Sequence, residues 1–296
     1  MNAIRNNPKS NKLNIGCGDH YHADWCNLDV RATDSAVMEC DIRNGLPFSD
    51  ETFDVVYHSH VLEHLTAADG ERLMQECRRV LRSGGVVRVV VPDLETIAAL
   101  YLEKLRRADA DREETVADYL WMKLELLDQM VRDTSGGLMG QYMADPNIVN
   151  SEFVRSRIGN EYWRCRPQNE CPENFSENTT QPSPTERLRR VFRHLRERLA
   201  RKSVRLFLGR TGESALVSGL FREQGEIHRW MHDRFSMNHL CQRLGFSQFR
   251  ICGPESSSIA DFATYQLDAV RGVVRKPDSL FVECRKPIAA AAARAA

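Results

Sequence analysis

Lys12-Leu13-Asn14-Ile15-Gly16-Cys17-Gly18-Asp19 decides the fold: Lys12–Gly16 reads as a short apolar strand ending on Gly-Cys-Gly. Glycines directly after a strand let the backbone pass close to a ligand and take positive φ angles that other residues resist. Eleven residues beyond Gly18, a second short strand, Cys26–Val30, ends in an acid, Asp29. A carboxylate placed there can accept both hydroxyls of a ribose. A dinucleotide fingerprint needs a third glycine, a whole helix and an acid about 20 residues on. Tyr21 stands where that third glycine would be, so a nicotinamide dinucleotide is disfavoured.

Outward from this stretch the strand–helix rhythm continues. Val37–Asp41 reads as a third strand, and Asp41 with Ile42 at its end would suit the edge and face of an adenine. Phe53–His58 is apolar throughout, as a strand buried on both faces of a parallel sheet should be. Ser59 and His60 follow at its carboxyl end, where open α/β sheets place ligands. Helical spacing over Gly70–Leu81 aligns Leu73, Cys77, Val80 and Leu81, and Ser83-Gly84-Gly85 reads as the stop. Val86–Val91 is a fifth strand, ended by Pro92. The pattern predicts an α/β fold: a Rossmann-like, doubly wound, mostly parallel sheet with a helical insertion.

Past residue 94 the rhythm changes. Leu94–Arg107 and Glu113–Arg132 read as long helices, 134–185 as loop-rich, and Glu186–Leu208 as a basic helix. Ser236–Leu244 reads as a further helix closed by Gly245, and Phe246–Cys252 and Ser279–Cys284 as a last pair of strands. These readings predict one domain over 10–287, its core formed by 10–100 and 226–287, with 101–225 inserted and a disordered tail at 288–296.

Composition narrows the function. Basic and acidic side chains number 41 each, which weighs against a protein that grips nucleic acid through its whole surface. The nine cysteines are scattered without CxxC spacing, as expected of reduced thiols in a cytoplasmic chain. The first twelve residues hold no apolar stretch, and no apolar run is long enough to span a membrane. The glycosylation-like triplets at Asn174 and Asn178 read as chance matches without a secretory signal.

Taken together, LNIGCG, NLDV, LPFSDETFDVVYHSHVLEHL and ECRRVLRSGGVVRVVVPDLE resemble successive motifs of class I S-adenosylmethionine (SAM)-dependent methyltransferases. More narrowly, with HRWMHDRFS and KPDSLFVE, they resemble a bacterial branch of the type 11 group often associated with surface-polysaccharide synthesis. The resemblance covers 12–95 well and 226–286 moderately, but not 134–225. It implies that Gly16, Cys17 and Gly18 pass the methionine part of SAM, Asp29 holds the ribose, Asp41 and Ile42 the adenine, and Ser59 lines the channel. Two departures stand out. Asn14 replaces the usual acid before the first glycine, and the Gly18–Asn27 crossover is shorter than the dozen or so residues a helix needs.

Methyl transfer to a hydroxyl needs a base, and histidine suits that work near neutral pH. His58, His60, His64, His228 and His232 are candidates, with His60 and His232 preferred. His228 and His232 at i and i+4 invite a metal reading if helical, but no third ligand has matching spacing, so no metal is expected. Residues 186–210 hold ten basic side chains, with an apolar stripe of Leu188, Val191, Phe192, Leu195 and Leu199. A core-packed helix and a helix attached to an anionic membrane or phosphate-bearing acceptor both stay open. The family association implies O-methylation of a sugar or glycan intermediate. N-methylation of an amino sugar or natural product is the alternative, as is a non-catalytic SAM-binding regulatory or scaffold protein.

Overall fold

A computed structural model of the chain describes residues 10–32, 34–167, 170–171 and 184–288. The triplets at Asn174 and Asn178, and all of the 288–296 tail except Ile288, lie outside the described residues.

Five strands, β1 (Lys12–Ile15), β2 (Cys26–Asp29), β3 (Val37–Glu39), β4 (Phe53–Ser59) and β5 (Leu81–Pro92), pair in parallel in the order β3-β2-β1-β4-β5. Leu13, Ile15, Val56, Val87 and Val89 are fully buried, which is why these short runs read as continuous apolar segments. Two later strands, β6 (Ser247–Cys252) and β9 (Ser279–Arg285), complete seven, with β9 antiparallel to both β5 and β6. A small hairpin, β7 (Ala269–Val270) and β8 (Val273–Val274), precedes β9. The predicted Rossmann-like α/β fold is therefore observed. Strand order reverses between β1 and β4, so their carboxyl ends form a topological switch point.

The β1–β2 crossover holds no helix, and two buried amides satisfy its carbonyls instead. Asn14 Nδ2 donates to His20 O at 3.3 Å and Asn27 Oδ1 at 3.2 Å. Asn27 Nδ2 donates to His22 O and Trp25 O, both at 3.0 Å. Buried carbonyls without partners would be costly, so this ladder is what permits so short a connection.

Helix α1 (Ala67–Val80) is capped by Thr66, whose side chain accepts the Asp69 N–H. Its predicted glycine stop is not seen: Leu81 is already extended, and Ser83–Gly85 belongs to β5. Gly85 serves close strand approach, since a Cβ there would meet Arg82 O at 2.9 Å and Asp54 O at 3.0 Å.

The insertion is more helical than predicted. After α2 (Leu94–Arg107) and α3 (Glu113–Val131), the segment read as loop carries α4 (Gly137–Ala144), α5 (Ser151–Ile158) and α6 (Glu161–Arg164). They share a core with α2 and α3 that includes Trp121, Met122, Met139, Met143, Val154 and Tyr162. Glu125 sits in that core, accepting from Trp121 Nε1 at 2.9 Å and Arg157 Nη2 at 2.6 Å. Helix α7 (Pro184–Arg222) contains the predicted basic helix and breaks at Gly209. Val191, Phe192, Leu195 and Leu199 lie on its exposed surface, so the core-packed reading of that stripe does not hold; Leu188's side chain is outside the described residues. Helix α8 (Arg234–Arg243) closes the core, capped by Asp233 and Ser236. Among the described residues no helix is long and apolar enough to cross a membrane.

Arg88 on β5 ties the last third of the chain to the sheet. It is fully buried, and its guanidinium donates to Asp268 and Glu283 at 2.8 Å each and to the carbonyls of Gly253 and Ser256. A buried arginine with all its donors engaged is a specific staple; the sequence reading did not single it out.

Candidate cofactor and acceptor site

At the switch point lies a cleft of about 320 Å³, and Gly16, Asp29, Asp41, Ile42 and His60 all line it. Gly16 has φ +64°, and a Cβ there would sit 2.3 Å from Val61 Cγ2. Only glycine lets β1 turn at this point while leaving the cleft open. Asp29 holds the turn itself: Oδ2 accepts the Gly18 N–H at 2.9 Å and Oδ1 the Arg31 N–H at 3.0 Å. Asp41 caps the short 3₁₀ turn Ile42–Asn44, and Arg43 engages both of its oxygens. The hydrogen bonds from Arg43 hold the Asp41 carboxyl below its usual range. Glu223, Gln224 and Gly225, which follow α7, close one side of the cleft.

A second cavity, about 360 Å³, lies beneath α3 and α4 and meets the cleft at His60, His64 and Gly225. Its lining is mixed: Met139, Met143 and Ile158 stand beside charged side chains of both signs, including Arg132, Glu161, Glu226, Lys276 and Asp278. Burial would raise the Glu161 carboxyl, but Lys276 at 2.5 Å brings it down to about 2. For Asp278 burial wins over the nearby His60 and Lys276, and its carboxyl is raised. The sequence reading missed Glu161, Lys276 and Asp278 as lining residues. Lys276 and Asp278 fall in KPDSLFVE, which was noted as a resemblance but given no role.

His60 stands at the junction in a left-handed backbone conformation, φ +54°, with its N–H held by Val90 O at 2.9 Å. Such strain in a non-glycine residue is characteristic of functional positions. Its Nδ1 lies 2.9 Å from the fully buried Glu63 carboxylate, and its Nε2 lies 2.8 Å from Ser279 Oγ. Burial would raise the Glu63 carboxyl, yet His60, His64 and His228 hold it well below the ordinary range.

The other predicted residues fall outside the two linings. The Cys17 thiol is buried and pushed up to about 12 by that burial. Gly18 is occupied by Asp29, and Ser59 pairs with Val90 in the β4–β5 ladder. His232 also lines neither cavity: it bridges Asp93, and its carbonyl accepts the Leu94 N–H. Residues 224–233 form no helix, so His228 and His232 do not share a helical face. Instead the Glu63 carbonyl accepts the N–H groups of Arg229 and Trp230, drawing His228 toward Glu63 and His64.

Fold and cleft together define a Rossmann-like α/β domain with a cleft at its switch point. Residues 13–89 match the family model described as "Methyltransferase domain". A protein of Mycolicibacterium smegmatis named "Probable S-adenosylmethionine-dependent methyltransferase" is 34% identical over 103 residues, covering 29% of this chain and 39% of that one. A Mycobacterium tuberculosis protein of the same description is 31% identical over 104 residues, covering 29% of this chain and 37% of that one. The chain thus spans about two fifths of the length of the curated relatives it matches. Among solved structures, a SAM-dependent methyltransferase from Archaeoglobus fulgidus aligns over 96% of this chain and 87% of its own, with TM-score 0.36 and 11% identity. The matched residues 13–89 contain Gly16, Asp29, Asp41, Ile42 and His60.

Proposed function

We propose that this chain is a SAM-dependent methyltransferase that binds its cofactor in the switch-point cleft and methylates an acceptor held in the polar cavity beneath α3 and α4. The meeting of the two spaces at His60 carries the reading. The cleft fits the cofactor: Gly16 lets the turn after β1 pack against Val61 at the cleft's edge, Asp29 offers a carboxylate for the ribose, and Ile42 an apolar face for the adenine. When bound, the cofactor supplies an activated methyl group for in-line displacement, so alignment of the partners contributes much of the rate.

The chain's own residues would orient the acceptor and take its proton. Glu63 fixes the His60 ring through Nδ1, and a hydroxyl that takes the place of Ser279 Oγ beside Nε2 would lose its proton to His60, or to Asp278. Side chains of both signs around the cavity suit a polyhydroxylated acceptor, which favours O-methylation of a sugar or glycan intermediate. N-methylation of an amino sugar or natural product would use the same residues. The exposed stripe Val191-Phe192-Leu195-Leu199, with Arg196, Arg198 and Arg201 nearby, would support peripheral attachment at the inner face of an anionic membrane.

Calorimetric titration with SAM and S-adenosylhomocysteine, followed by isotopic methyl transfer to nucleotide sugars, tests the reading. Absence of cofactor binding by folded protein overturns it. Binding without turnover on any acceptor, and indifference to loss of His60, would favour a regulatory or scaffold chain.

A further inference from the structure

From the geometry around Glu63 we propose a zinc site formed by Glu63, His64 and His228, independent of the cofactor cleft's occupant. One ligand atom from each of these residues lies within 4.8 Å of the other two. Two histidines and one carboxylate around a vacant fourth direction is the donor set of an open, ligand-exchanging zinc site.

Three observations point to a cation here. Glu63 has no exposed surface, and neither of its oxygens accepts a hydrogen bond among the described residues. His60 Nδ1 lies 2.9 Å away as an ion-pair contact, not as an aligned hydrogen bond. A fully buried carboxylate ringed by three imidazoles is a place where a cation offsets the cost of burying the charge. Next, the tautomer of His64 is set. Its Nδ1 lies 3.2 Å from the Ile227 carbonyl, which can only accept, so Nδ1 carries a proton and Nε2 is the ring nitrogen turned to Glu63 Oε1, at 3.9 Å. A histidine whose other nitrogen donates to a backbone carbonyl is also the usual form of a metal ligand.

His228 completes the set from a distant part of the chain. Its backbone is pinned by Gln129 O at 3.0 Å, and its ring packs edge-on against His64 with centroids 5.0 Å apart. Zinc–ligand distances near 2.0–2.2 Å require the three donors to close in on the ion by about an ångström. His64 and His228 both line the polar cavity, so the fourth position opens on it, where water or an acceptor oxygen would bind. The expectation of no metal followed from pairing His228 with His232; the fold pairs His228 with Glu63 and His64 instead.

The test uses the full chain, stripped with chelator, without SAM. Zinc titration followed by calorimetry, with metal content measured after dialysis, should give one tightly held ion per chain. Cobalt in its place should give the visible absorption of a low-coordinate nitrogen–oxygen site. The His64→Ala and His228→Ala variants, each checked for native circular dichroism, should bind zinc more than about 100-fold more weakly, a larger loss than removal of an outer partner causes. If either variant misfolds, His64→Gln and His228→Gln replace them. No stoichiometric zinc in the wild type, or zinc retained undiminished in the folded double variant, overturns the site. Cofactor titration of the same samples separates this outcome from failure of the methyltransferase reading.

Discussion

The Asp29 carboxylate accepts the Gly18 N–H at 2.9 Å while facing the switch-point cleft, so one side chain both shapes the glycine turn and lines the cavity beside it. Loss of that carboxylate removes a hydrogen bond to the turn together with the ribose acceptor. Asp29→Ala should weaken SAM binding by at least about tenfold, as expected for loss of a charged hydrogen bond of about 1.5–3 kcal/mol. Calorimetry that finds unchanged affinity would place the ribose elsewhere.

Gly16 and Gly18 both have positive φ but differ in surroundings. A Cβ on Gly16 collides with Val61, whereas one on Gly18 meets nothing within 4 Å. Gly16→Ala should abolish cofactor binding or destabilise the fold. Gly18→Ala should cost only about 1–2 kcal/mol of backbone strain and leave binding measurable. Thermal melts and cofactor titrations of the two variants should separate in that order.

Asn14 stands where an acid is expected by resemblance, and the structure gives it a donor's work. A carboxylate cannot donate to His20 O and Asn27 Oδ1, and it would be almost fully buried. Asn14→Asp should therefore destabilise the chain by about 1–3 kcal/mol, read as a lower melting temperature. A variant as stable as wild type would mean that the amide ladder is not what holds the crossover.

His60 meets both cavities, while His232 lines neither. With an acceptor in hand, His60→Gln should lower kcat by about 100-fold or more, the range of general-base catalysis, with the KM for SAM changed only slightly. His232→Gln should leave kcat within a few-fold. The reverse pattern would make His232 the base.

The Glu283 carboxyl is buried, which alone would raise it, yet Ser257, Ser258 and Arg88 hold it down to about 2 from an ordinary 4.5. Because the folded value lies below the unfolded one, its stabilisation is complete above about pH 4.5 and lost as pH falls toward 2. The effect is at most about 3 kcal/mol. Glu283→Gln should be less stable at neutral pH and show a shallower decline across that acid window. Parallel acid limbs for the two proteins would refute the assignment.

Much of this was legible in advance because it depends on local pattern. Apolar runs marked β1, β4 and β5, glycines marked the turn after β1, and α2 begins and ends where its spacing predicts. The helices α4 and α5 were hidden because their window is rich in glycine, asparagine and proline, and their apolar residues acquire meaning only against Trp121 and Met122. The glycine stop after α1 failed for a related reason: Gly85 answers to Asp54 on a neighbouring strand, which local sequence does not reveal.

Periodicity, turn chemistry and the position of Asp29 after Gly18 were enough to predict a doubly wound sheet whose first glycine turn and second-strand acid share one cleft. They act over a few residues, where chain geometry leaves few choices. Tertiary structure alone decided which histidine meets the cleft, that two amides replace a crossover helix, and that His228 joins Glu63 and His64. The metal-site contact joins residues more than a hundred positions apart, Glu63 and His228, and the place of His60 turns on the handedness of one backbone angle; the amides reach across only the crossover, but to carbonyls that its folded path selects. Side-chain spacing carries no record of such contacts; only the closed sheet and its packed insertion bring them together.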